Sequence, residues 1–348
     1  MLCIGANPHP SRDVSTSILP HTRAVTVDDV KNFIINFLAV FYEAMPFIVL
    51  GSVISGVLEE MVPQQLISRF VPKNRRLAIG LCALLGVVFP MCECGIVPVM
   101  RRLLRKGLPL SCCVAYMLAG PIINVVVFLS TYVAFYQHLG GYYIIGFRML
   151  LGYLVAVGTA IIVDWQYKKH GDSLITDSAK PNLALPVLGE DGKEVAEPKK
   201  PWMVRMGNIT ETALTDFVDI TVFLSLGAVM AALSKQFISP ALIESLSMQF
   251  PVVAILVMMA LAVVMCLCSE ADAFVAASFT SMHPSAKIAF LVLGPMFDFK
   301  LYMMFTRVFR PRLIWTIIIA LVIQVLIYSL IVHYLWDPLG LPRAVTTG

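Results

Sequence analysis

Phe89-Pro90-Met91-Cys92-Glu93-Cys94-Gly95 sets two thiols and an acid beside two helix breakers, in the middle of an apolar segment. A second such stretch, Val264-Met265-Cys266-Leu267-Cys268-Ser269-Glu270, carries its thiols 174 residues later. Each Cys-x-Cys is followed after 26 residues by a Gly-Pro step, Gly120-Pro121 and Gly294-Pro295. Asn124 and Asp298 keep the same offset. Upstream, Glu43, Phe47 and Gly51 share one helix face by their spacing, and Asp219, Phe223 and Gly227 repeat the acid, aromatic and glycine at an offset of 176. The chain reads as a duplication, with a soft-ligand site between its halves.

The 348 residues are 58% hydrophobic and 14% charged, too apolar for a soluble domain. A membrane span needs about 20 mostly apolar residues. Eight stretches qualify or nearly so: 33–58, 77–100, 107–134, 141–163, 212–234, 251–278, 288–306 and 313–335. The expected fold is an all-α, multi-pass protein of a plasma (inner) membrane, with the lipid bilayer as its main partner. A polar tail (1–30) without signal-peptide features precedes a first membrane repeat (31–164). A basic cytoplasmic linker (165–210) joins it to a second repeat (211–336), and residues 337–348 form a tail. The net charge of +4 belongs to loop Lys and Arg, and no nucleic-acid-binding patch is visible.

Short cytoplasmic loops are enriched in Lys and Arg. Arg69, Lys73, Arg75 and Arg76 precede the first thiol segment, and Arg101, Arg102, Arg105 and Lys106 follow it. Both its ends therefore read as cytoplasmic, which one crossing cannot satisfy and a re-entrant or broken element can. Arg307, Arg310 and Arg312 return the second half to the same face. That makes the second thiol segment enter from the opposite side, giving inverted repeats. Eight plain crossings with parallel repeats are the alternative.

Thiolates favour soft acceptors such as Cu(I), Zn(II) and trivalent arsenic centres. On a regular helix i and i+2 diverge, whereas broken backbone aims both sulfurs at one cavity. Cys92, Cys94, Cys266 and Cys268 are thus candidate substrate ligands, and Cys92 and Cys94 metal ligands if the substrate is a metal ion. Cys112 and Cys113 read as helix packing or additional thiols, Cys82 and Cys3 as small apolar fillers. Ionisable groups at membrane depth mark pathways, so Glu43, Asp219, Glu270 and Asp272 are candidate coupling residues. Asp298 belongs either to the site or to a structural pair with Lys300, and Arg148 is positioned to snorkel or to pair with one of the acids. The Gly-Pro steps free backbone carbonyls, and Gly120, Pro121, Asn124 and Asp298 join the candidate site, as does Glu93. No phosphate-binding loop and no Ser-His-Asp arrangement is visible, and no cofactor is expected.

Cys92-Glu93-Cys94-Gly95-Ile96-Val97-Pro98, the basic turn to Lys106-Gly107, and Leu118-Ala119-Gly120-Pro121 resemble the predicted-permease family that includes the ArsP-type organoarsenical efflux permeases. The resemblance implies a multi-spanning inner-membrane permease, with Cys92, Cys94, Gly95, Pro98, Gly120 and Pro121 at its site. Relatives are linked to copper or zinc efflux. Glu93 stands where the family pattern usually has Ser, which shifts the expectation toward a divalent cation. The leading expectation is ion-coupled efflux of a small thiophilic substrate; a soft-metal exporter is the alternative. A membrane thiol oxidoreductase or a non-transporting metal sensor represents the other classes.

Overall fold

The computed structural model describes residues 27–61, 72, 74–89, 91–137, 140–176, 201–237, 251–280, 282–336, 338 and 340–341. Its elements are helical: α1 (Val27–Met61), α2 (Arg75–Ala83), α3 (Leu85–Val88), α4 (Glu93–Arg105), α5 (Leu110–Ala119), α6 (Val125–Phe135) and α7 (Gly141–His170) in the first half. The second half holds α8 (Trp202–Phe237), α9 (Pro251–Met265), α10 (Asp272–Ser278), α11 (Pro284–Leu293), α12 (Phe299–Val308) and α13 (Pro311–Trp336). Strand-like pairing among the described residues is limited to one isolated bridge, Ile175 to Phe309.

Among the described residues, four helices are long and apolar enough to cross a membrane, within Val30–Met61, Gly141–His170, Trp202–Met230 and Pro311–Trp336. Their polarity is arranged for a lipid solvent. Along α13, Ile319, Ile323, Ile327 and Ile331 form an exposed stripe at i, i+4 spacing, while Leu313, Ile317, Leu321 and Val325 are buried. An apolar outward face this continuous would be a liability in water. Conversely, Glu93, Arg148, Asp272, Lys287, Asp298 and Lys300 are all buried.

The remaining apolar segments are broken, and the breaks fall where the sequence places its helix breakers. α5 and α11 are ten residues each and begin 174 residues apart. Gly120 and Gly294 end them, donating their N–H to Tyr116 O (2.8 Å) and Phe290 O (3.1 Å). Pro121 and Pro295 cannot continue the ladder. Each chain then restarts on a side-chain cap: Asn124 Oδ1 accepts from Val127 N (2.8 Å), and Asp298 Oδ1 from Leu301 N (2.7 Å). The helix ends, the breaks and the caps thus coincide at one offset.

α1 lies along α8, and each presses on a short helix that starts at a break, α1 on α4 and α8 on α12. Glycine allows the first contact: a Cβ on Gly51 would sit 2.7 Å from the Cα of Gly95. Gly227 likewise abuts Lys300. Both belong to the acid-aromatic-glycine pattern noted in the sequence.

The stretch read as linker from residue 165 begins helical, because α7 continues through His170. Lys168 pairs with Asp164 one turn back (3.0 Å), and Lys168, Lys169 and His170 suit a helix C-terminus. Thr176 N then donates to Val308 O (3.1 Å) and Arg310 N to Leu174 O (3.0 Å). These bonds tie the end of α7 to the α12–α13 junction.

Candidate functional site

Cys92 caps α4 in an extended conformation (ψ 168°), and its carbonyl accepts from Gly95 N (3.1 Å) and Ile96 N (3.2 Å). Glu93 becomes the first helical residue, where a carboxylate is favoured by the helix dipole. On the opposite side of the interface Lys300 is the second residue of α12, where the dipole opposes a cation. Acids offset this. Lys300 Nζ donates to Glu93 Oε1 at 2.7 Å, and Asp298 Oδ2 lies 3.5 Å away. Cys266 O accepts at 3.5 Å and Cys268 Sγ at 3.8 Å. The Glu93 and Lys300 side chains are each 1% exposed, so protein and not water must satisfy them.

The thiols gather around this pair. Cys92 and Cys94 lie within interaction range of each other, and Cys92 lies within electrostatic reach of Cys268. Lys300 in turn faces both Cys94 and Cys268. Cys266 Sγ donates to Val263 O of its own helix at 3.3 Å and lies beside the first N–H groups of α12, at Phe299 and Lys300. It also contributes its carbonyl, made available by a left-handed backbone (φ 48°) that ends α9.

The other sequence candidates distribute as follows. Gly95 is the contact point for α1, and Pro98 lines an inner crevice of about 40 Å³ with Arg101, Asp216, Asp219 and Arg307. Gly120, Pro121 and Asn124 form the α5–α6 break, where Gly120 packs against Ile96 and accepts from Asn124 Nδ2 (3.1 Å). Asp272 is paired: Arg148, fully buried, donates to it at 2.9 Å, to Ser269 O at 2.9 Å and to Thr131 at 2.7 Å. Arg148 thus sews α7, α6 and α10 together. Glu270 is half-buried, and its carbonyl accepts from Ser130 at 2.5 Å. Asp219 is exposed on α8. The Glu43 side chain and Pro90 lie outside the described residues.

Asp216 escaped the sequence reading. One turn before Asp219, it is buried and receives Ser55 Oγ (2.6 Å) and Arg102 (3.1 Å). Its helical phase relative to Gly227 was the available signal. Cys82, expected as a filler, lies within interaction range of Cys112 across α2 and α5, whereas Cys113 points to Leu108 O (3.8 Å). Among the described residues, no three His, Cys, Asp or Glu side chains converge as a metal site. Glu93, expected to shift preference toward a divalent cation, accepts from Lys300 Nζ in this conformation.

A family model described as a predicted permease (ArsP_1) matches residues 30–334. The UPF0718 protein YcgR of Bacillus subtilis is 37% identical over 297 residues, 85% of this chain and 95% of that protein. A "putative two-component membrane permease complex subunit" of Streptococcus mutans is 32% identical over 298 residues, 85% of this chain and 93% of that protein. No solved structure matches.

Proposed function

The chain belongs to the predicted-permease family and is a multi-pass membrane protein, and on that premise we propose that it is a secondary, ion-coupled efflux permease for a thiophilic substrate such as a trivalent organoarsenical. The observation that carries this reading is the meeting of Cys92 and Cys94 from one broken segment with Cys268 from the other, around the buried Lys300–Glu93 pair. Two thiols suit an arsenical R–As(OH)₂. Two As–S bonds form, two As–O bonds break, and each thiol proton leaves with a hydroxide as water. Release is the reverse reaction, which an open set of two or three thiols permits and a closed four-thiolate cage opposes. Lys300 supplies the positive charge beside a thiol that has given up its proton.

In this reading the halves are inverted repeats. Each contributes a long helix (α1, α8), an element that reaches the midplane and turns back at Cys-x-Cys, a helix broken at Gly-Pro, and a closing helix (α7, α13). The matched caps at Asn124 and Asp298 support the repeat. The tie between Leu174–Thr176 and Val308–Arg310 supports placing both basic junctions on one face. The inner crevice beside Pro98 is too narrow for cargo, so passage requires α4, α8 and α12 to part. Glu43, Asp219, Glu270 and Asp272 are the proposed coupling acids; of these Asp272 is committed to Arg148 in the present conformation. The streptococcal relative's description as a complex subunit makes a second subunit worth seeking by copurification. Burial of Cys92, Cys94 and Cys268 weighs against a thiol oxidoreductase, which needs an accessible thiol.

Everted membrane vesicles test the proposal with methylarsenite, antimonite, Cu(I) and Zn(II), with and without a proton gradient. Gradient-dependent uptake of methylarsenite, falling at least tenfold in a folded Cys92→Ser/Cys94→Ser variant, is expected. Undiminished uptake by that variant overturns the thiol assignment, and gradient-independent uptake overturns proton coupling.

A further inference from the structure

The start of α11 meets the end of α13. Three donor atoms converge there: Nδ1 of His283, Oγ of Ser285 and Nδ1 of His333. The His283–Ser285 edge of the triangle is 2.8 Å, Ser285–His333 is 3.2 Å, and His333–His283 is 3.2 Å. The backbone N–H of Ser285 also points at Nδ1 of His283 (3.2 Å). An imidazole nitrogen has one lone pair at most. Three neighbours therefore crowd that single acceptor, and one hydroxyl and one imidazole N–H cannot satisfy every edge. A cation at the centre takes three lone pairs at once.

Two edges of the triangle suit a metal ion, and the 2.8 Å His283–Ser285 edge must open by about half an ångström to join them. Tetrahedral bonds of about 2.0–2.1 Å separate neighbouring nitrogen ligands by roughly 3.3–3.4 Å, within a few tenths of the His333–His283 edge. Imidazole nitrogen suits Zn(II), Cu(II) and Ni(II). We propose that His283, Ser285 and His333 form a binding site for one such borderline divalent cation, separate from the central thiols. Two imidazoles and a hydroxyl leave coordination positions for water, and both histidines are only half-buried, so the ion exchanges with solution. The rings are held in place by packing: His283 against His333 (centroids 4.4 Å apart) and Trp336 (6.2 Å), and His333 against Tyr334 (5.6 Å).

The local field is nearly balanced, since α11 presents its positive end and α13 its negative end. Lys287, one turn along α11, is the nearest fixed cation in sequence, buried and with no partner for its Nζ among the described residues. The corresponding place in the first half is built otherwise: Ser111 donates to Asp164 (3.1 Å), which pairs with Arg75 and Lys168. The cation site therefore belongs to one half only. In the inverted orientation proposed above it lies on the face away from the basic linker, but its geometry does not depend on that orientation.

Zn(II) and Co(II) binding to the purified full-length protein, in a Cys92, Cys94, Cys266 and Cys268→Ser background, tests the site. One ion per chain is expected, weakened at least tenfold by His283→Gln and by His333→Gln, and not weakened by Lys287→Met. The wild-type Co(II) spectrum decides the matter if the serine background does not fold: nitrogen and oxygen ligation gives d–d bands without sulfur-to-metal charge transfer. Binding unchanged in the double histidine variant overturns the proposal, as does a spectrum dominated by sulfur ligation. Absence of any binding, with only a proton released on titration, would show instead that the donors share a proton. No transport is measured, so failure here is distinct from failure of the arsenical reading.

Discussion

Removing the partners of the Lys300–Glu93 pair one at a time and then together should expose a strongly non-additive interaction. The two groups stand 2.7 Å apart at 1% exposure, so water cannot take the place of either. Breaking such a pair from one side costs about 3–5 kcal/mol, while replacing both members with neutral groups is often nearly neutral. The site adds an asymmetry. Lys300→Met leaves two buried carboxylates, Glu93 and Asp298, with no cation between them, and should reach the upper part of that range. Glu93→Gln keeps an acceptor near Lys300, and Asp298 at 3.5 Å keeps its charge partnered, so about 1–3 kcal/mol is expected. The double variant should be more stable than Lys300→Met alone, with a coupling energy of at least about 1 kcal/mol. The described cysteines are buried, so a thiol-reactive fluorophore reports unfolding directly during a thermal ramp. Additive losses in the double variant, or a Glu93→Gln variant less stable than Lys300→Met, would refute the reasoning.

Arg148→Met strands the Asp272 carboxylate in a buried position and should cost about 3–5 kcal/mol by the same assay. Arg148→Lys should fail to rescue it, because one ammonium cannot replace a fork that reaches Thr131, Ser269 and Asp272. Gly51→Ala drives a methyl into the Gly95 backbone and should lose about 1–3 kcal/mol together with transport, whereas Gly146→Ala, with nothing within 4 Å, should behave as wild type.

The sequence was most informative where local chemistry decides local structure. A Gly-Pro step ends a helix whatever surrounds it, and a polar Asn or Asp three or four residues on restarts it. The α5–α6 and α11–α12 breaks were therefore legible at 120–124 and 294–298. The first Cys-x-Cys segment was legible for the same reason, with Pro90 and Gly95 flanking its sulfurs; residues 264–270 hold no such breaker, and the turn at Cys266 is set by the fold. Pairings between halves were not. Lys300 invites assignment to Asp298 two residues away, yet its closest partner is Glu93, 207 residues earlier. Periodicity cannot announce that. Asp216 and Asp219 show a milder form of the limit: one turn of α8 separates a buried ion-pair member from an exposed acid, the phase relative to Gly227 points to the first, and the partner Arg102 is known only from the fold.

Cys266 is the one described non-glycine residue with positive φ, and such a conformation costs on the order of 1–3 kcal/mol that its surroundings must sustain. The joint at the end of α9 is therefore loaded like a bent spring. Returning it to right-handed geometry would release that energy and swing the Cys266 carbonyl out of reach of Lys300 in one movement. Strain relief and loss of an ammonium's ligand are mechanically the same event here, so whatever rearranges the donors around Lys300 also sets the bend of α9.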